Sequence, residues 1–69
     1  MDGTKVIKQL LIEREKNITD LADGLKINAQ SARNKLNRNN YTLKEFEKCL
    51  SLLNAHIVVI ADDTGKEFY

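Results

Sequence analysis

The stretch Asn28 to Lys44, NAQSARNKLNRNNYTLK, decides how this chain is read. It contains Arg33, Lys35, Arg38 and Lys44 and no Asp or Glu. On a helical wheel of about 100° per residue with Ala32 at zero, Leu36 falls near 40° and Ala29 near 60°, on one apolar side. Gln30, Arg33, Asn34 and Asn37 fall between roughly 100° and 200° on the same wheel. A helix over residues 29–36 therefore hides small apolar groups and shows a guanidinium and several amides. Those forked side chains match guanine and adenine edges in the major groove of a duplex. The plain alternative is a solvated polar face.

Just upstream, Asn17-Ile18-Thr19-Asp20-Leu21-Ala22-Asp23-Gly24-Leu25 predicts a second short helix over 18–25. Asn17 or Thr19 can cap its first turn, and Asp20 suits the positive end of the helix dipole. Leu21, Ala22 and Leu25 share a face, Ile27 follows after a bend at Lys26, and Asn28 is a good cap for the next helix. Two short helices joined by so tight a turn, with Ala22 where they cross, make a helix-turn-helix unit.

With Leu21-Ala22, Leu25, Ile27, Asn28, Gln30-Ser31, Asn34-Lys35-Leu36 and Thr42-Leu43 in this order and spacing, residues 18–53 resemble the phage-repressor (Xre/Cro-type) helix-turn-helix family. The resemblance implies a mainly α, four-helix, lambda-repressor-like domain that binds double-stranded DNA in a sequence-specific way and regulates transcription by occupying an operator. The helix from Ala29 is then expected in the major groove, with Gln30, Ser31, Arg33, Asn34 and Asn37 facing bases. Asn17, Thr19, Lys35, Arg38, Asn40, Thr42 and Lys44 are expected to hold phosphates, which position the protein without specifying sequence. Two positions depart from the family's pattern. The turn residue that is usually Gly is Lys26, which must then adopt a left-handed backbone. The aliphatic residue in the middle of the recognition helix is Ala32, which lets the helices approach closely but buries less surface.

Charge supports the same expectation by its distribution. The net charge is only +1, yet residues 26–44 hold five bases and no acid. Residues 1–25 carry five acids and four bases, and residues 45–69 five acids and two bases. Such segregation creates a local field for a polyanion without a high overall isoelectric point. Sixty-nine residues make one domain with a modest core, which oligomerisation would help. No apolar run approaches the roughly 20 residues of a membrane span, and no secretory signal is visible, so a cytoplasmic protein is expected. Cys49, alone, can form no internal disulfide, and with His56 it offers no metal set; it reads as a small core residue. Phosphate loops, nucleophile elbows and close carboxylate pairs are absent from the sequence, so no catalysis, cofactor or small-molecule ligand is expected.

The remaining segments frame this unit. Residues 4–15 predict a first helix capped at Asp2 or Thr4, with Val6, Ile7, Leu10 and Leu11 as its stripe. Asn37 to Tyr41 reads as a loop. Thr42 and Glu45 form a capping-box pattern for a helix over 43–53 whose Leu43, Phe46, Leu50 and Leu53 face inward while Leu52 points away. Residues 56–61 and 66–69 predict a C-terminal β-hairpin turning at Asp62 to Gly65. Because Ile57, Val58, Val59 and Ile60 want cover on both faces, they are expected, with Leu52, to form a homodimer interface, the other option being a hairpin folded onto helix 1. The rival function is a protein-binding module of antitoxin-like or inhibitory kind, to which the apolar hairpin and Leu52 point.

Overall fold

The computed structural model describes all of residues 1–69. Four helices, α1 (Gly3–Glu13), α2 (Ile18–Leu25), α3 (Ala29–Arg38) and α4 (Leu43–Leu52), precede two short strands, β1 (Val59–Ile60) and β2 (Glu67–Phe68). The chain is thus mainly helical with a small antiparallel sheet, in which Val59 faces Phe68 and Ile60 faces Glu67. No helix is long and apolar enough to cross a membrane.

Every helix starts at a side-chain cap. Asp2, Asn17, Asn28 and Thr42 accept from the backbone N–H of Lys5, Asp20, Ser31 and Glu45 respectively. Each bond satisfies a first-turn donor that the helix itself leaves without a partner. The box at Asn17 is reciprocal, since the Asp20 carboxylate accepts the Asn17 N–H at 2.9 Å. The helix ends share a different device. Glu15, Lys26, Asn39 and Asn54 all have a positive φ, and none is Gly. After three of these residues the chain closes back on the preceding helix. Lys16 donates to the Leu11 carbonyl at 2.8 Å, Ile27 to Ala22 at 3.1 Å and Ala55 to Leu50 at 2.9 Å. These bonds satisfy carbonyls that a helix end otherwise exposes.

Several boundaries differ from the sequence expectation. α1 begins at Gly3 and stops at Glu13, because Asp2 is the cap and Glu15 turns left-handed. α3 runs on through Asn37 and Arg38, where the sequence predicts a loop; the turn comes at Asn39, whose N–H reaches the carbonyls of Lys35 and Leu36. Leu43 does not join the buried stripe: it opens α4, before the helix dips into the core, and is 67% exposed. Leu52, expected to point outward, is half-buried and packs on α2 at Gly24, where a Cβ would lie 3.0 Å from the Leu52 methyls. The strands are two residues long rather than six and four.

The core is made by Ile7, Leu11, Leu21, Leu36, Phe46, Cys49, Leu50 and Leu53. Ala22 and Ala32, each 1% exposed, are the small residues of the α2–α3 pair. Polar braces tie the helix ends together across this core. The Thr4 hydroxyl donates to the Leu36 carbonyl at 2.6 Å, so the Tyr41 hydroxyl, 2.7 Å away, must donate to Thr4. Asn39 Oδ1 accepts the Thr4 N–H at 3.0 Å. At the opposite end, the Arg14 guanidinium donates to the Leu53 carbonyl at 2.9 Å.

Lys26, at φ 60° and ψ 40°, adopts the left-handed turn expected of it. Such a residue costs about 1–3 kcal/mol of strain, against about 0.4–1 kcal/mol for the larger unfolded-state entropy of Gly. Lys26→Gly is expected to raise Tm by about 4–8 °C for each kcal/mol gained. Thermal melts followed by circular dichroism check this, and a lower Tm would show that Lys26 carries no strain.

Candidate nucleic-acid interface

α3 is held by its inner face and open along its outer one. Ala32 and Leu36 are buried and Ala29 is half-buried, while Gln30, Arg33, Asn34, Asn37 and Arg38 are exposed. Ser31 is half-buried beside them. The structure therefore brings four of the five expected base-facing residues onto one solvent-facing surface, with Ser31 at its margin. Gln30 Nε2 donates to Asn34 Oδ1 at 3.1 Å, across one helical turn. This bond orients two amides that could otherwise rotate freely, leaving the Gln30 carbonyl oxygen and the Asn34 amino group for an external partner. The i, i+4 spacing of the two residues was a usable signal for it.

The cations around this face differ in their freedom. Arg33, Arg38 and Lys44 are exposed and make no ion pair. Lys35 is different: its ammonium lies 2.6 Å from the Glu45 carboxylate in the one ion pair of the molecule. Thus the residue expected to hold phosphate is engaged by an acid from α4. Sequence reasoning missed the pair because ten positions and a loop separate its members, and only the tertiary fold brings them together. The Lys35 hydrogen bond, with further ones from Thr42, holds Glu45 below the ordinary carboxylate range.

The N-terminus of α2 is also partly occupied. Asn17 and Asp20 use their side chains on one another's backbone, so the Asp20 carboxylate sits at the positive end of the helix. The amides of Ile18 and Thr19 make no bond within the chain, and the Thr19 side chain is exposed. In the α3–α4 connection Asn40 and Thr42 are exposed, whereas Tyr41 turns inward to Thr4 and Phe46. Burial raises the Tyr41 phenol above its ordinary range and does the same to the Cys49 thiol, so both stay protonated at neutral pH.

A separate apolar surface lies on the other side of α4. A cleft of about 430 Å³ is lined by Leu43, Glu47, Ser51, Ile57, Val59 and Phe68, among others. Val59 is 62% exposed and Phe68 52% exposed, on the hairpin face that adjoins the cleft. Val59, Ile60 and Phe68 are thus largely uncovered within the chain. Two residues of the expected dimer interface are spent within the chain: Ile57 packs against the core, as does Leu52. Val58 is half-buried, and Val59 and Ile60 remain exposed.

Comparison of the chain with protein-family models, curated proteins and solved structures gives no match.

A carboxylate held below its ordinary range stabilises the fold above its unfolded-state pKa, and that contribution fades as pH falls through the folded-state value. The wild type is therefore expected to lose, from the ordinary carboxylate range downward, a share of stability that Glu45→Gln lacks throughout. Salt should shrink the difference, since both partners are partly exposed. Denaturant titrations from about pH 7 to about pH 3 check this, and parallel curves for the two proteins would show that the pair does not stabilise the fold.

Proposed function

We propose that this chain is a sequence-specific double-stranded DNA-binding regulator of the phage or mobile-element repressor kind, and that α2 and α3 are its helix-turn-helix unit. The observation that carries the reading is the outer face of α3: Gln30, Arg33, Asn34 and Asn37 exposed together on a helix anchored by Ala32 and Leu36. Amide and guanidinium forks are the side chains that read adenine and guanine edges. In this reading α3 lies in the major groove and Gln30, already bonded to Asn34, reads a base as one half of a fixed pair. Arg38 and Lys44 hold backbone phosphates beside the groove, with Asn40, Thr42 and the free amides at the start of α2 as neutral donors.

One recognition helix contacts only a few base pairs, so a monomer would separate its operator poorly from competing sites. Two copies about a two-fold axis would read half-sites roughly one helical turn apart. The exposed Val59, Ile60 and Phe68, next to the exposed Leu43, support a homodimer through the hairpin and α4. The same apolar patch supports the second reading, a module that holds a protein partner. A folded wild type that selects no sequence from random duplexes favours that second reading.

Gln30→Ala or Asn34→Ala is expected to cost about 1–3 kcal/mol on the preferred site and to relax preference at one or two base pairs. Arg38→Ala or Lys44→Ala is expected to weaken all duplexes alike and to flatten the salt dependence by about 0.9 per lost contact. Duplex selection followed by sequencing separates these effects; an unchanged sequence preference in Gln30→Ala and Asn34→Ala would remove α3 as the reader. Val59 lies outside the core, so Val59→Lys is expected to leave a folded, helical protein. Sedimentation should show weaker self-association than in the wild type, and a wild type that stays monomeric on its preferred duplex would exclude the dimer.

A further inference from the structure

The single ion pair of the molecule joins the proposed recognition helix to its support, and it removes one charge from the acid-free basic stretch. We propose that Glu45 withholds Lys35 from the DNA backbone, so that Glu45, itself remote from any base, sets how strongly and with what salt dependence the protein binds DNA. The proposal rests on the DNA-binding reading and deepens it.

Three observations carry it. The Lys35 ammonium is 2.6 Å from the Glu45 carboxylate, and the two side chains are 43% and 39% exposed, so the pair lies at the rim of the domain rather than within it. A lysine at that depth, released from its partner, can extend into solvent on its flexible stem. Glu45 is itself fixed: its N–H is bonded to the Thr42 hydroxyl at 3.1 Å, in the first turn of α4. The carboxylate is therefore presented to α3 from an anchored helix start. Arg33, Arg38 and Lys44 have no acidic partner, which leaves Lys35 as the one cation of α3 under internal control. Beneath the pair lies a small cleft lined by Leu25, Ile27, Tyr41, Lys48 and Cys49. Lys48 is the other cation that lines this cleft, and it is exposed.

The electrostatic consequence is specific. Each phosphate contact adds about 0.9 to the slope of log affinity against log salt. A lysine already paired with a carboxylate brings no net charge to the backbone and releases no counterion when DNA arrives. Lys35 should therefore be silent in the wild type and become a phosphate contact when Glu45 loses its charge.

The test is a cycle of four proteins: wild type, Glu45→Gln, Lys35→Met and the double variant. Each is titrated with a random-sequence duplex at several salt concentrations, with circular dichroism to verify folding. Methionine keeps an apolar stem over the cleft. Glu45→Gln is expected to bind several-fold tighter at low salt, with a slope steeper by about 0.9, while Lys35→Met, which bares the Glu45 carboxylate, binds no tighter than the wild type. The double variant, which like the wild-type pair carries no net charge there, should match the wild type. If the double variant keeps the gain of Glu45→Gln, the carboxylate acts by general repulsion and the proposal is overturned. A flatter slope in the double variant than in the wild type also overturns it, because Lys35 then touches phosphate while paired. Binding by the wild type with no change in Glu45→Gln overturns this proposal alone; absence of binding by wild type and Glu45→Gln overturns the DNA reading with it.

Discussion

The presentation of α3 depends on one backbone conformation, the left-handed turn at Lys26. With φ at 60°, the chain reverses within a few residues, and Ile27 closes a hydrogen bond onto Ala22 before Asn28 caps the next helix. The small Ala22 and Ala32 are both buried in this pair of helices. A short turn between closely packed helices allows little freedom of angle, so the outer face of α3 is held by the same residues that make its inner face. The Thr4 network braces the other end, tying the Leu36 carbonyl and the Asn39 side chain to the start of α1. Both ends of α3 are thereby fixed by bonds that use none of its outward-facing side chains.

That separation explains how a protein with a net charge of +1 can be read as a nucleic-acid binder. Arg33, Arg38 and Lys44 project unpaired from one region, while every acid lies before or after it in the chain. One of these acids, Glu45, reaches back to Lys35. The potential at the α3 surface is consequently set by a few named groups rather than by total charge. Beyond α4 the chemistry changes from polar to apolar, with Val59, Ile60 and Phe68 exposed on a short hairpin beside the exposed Leu43 of α4. An isolated two-stranded hairpin is marginal in water, and this one leaves both faces largely uncovered.

Local signals made most of the helical architecture legible. Caps at Asn17, Asn28 and Thr42 are written in side chains that act on backbone three residues away, and the periodicity of Leu21, Leu36, Phe46 and Leu50 identifies the buried faces. The left-handed Lys26 could be expected because it stands where the family that the sequence resembles usually has Gly. What stayed hidden depends on distant geometry. Thr4 reads as a helix-1 cap, yet its hydroxyl serves Leu36 and Tyr41, more than thirty positions away. The Lys35–Glu45 pair and the seat of Leu52 on Gly24 likewise follow from how helices pack. The hairpin was overestimated because β-branched composition in residues 57–60 favours extended chain but does not fix where pairing begins.

The central claim is that the outer face of α3 is the surface that meets duplex DNA. Side-chain and backbone nuclear magnetic resonance signals of the isotope-labelled protein, recorded during titration with its preferred duplex, test it most directly. The account predicts that the amide groups of Gln30 and Asn34 and the guanidinium of Arg33 shift most, with smaller shifts at Arg38 and Lys44 and none at the core residues Ile7 and Leu53. Shifts confined to Leu43, Val59 and Phe68, with the α3 signals unmoved, would contradict it.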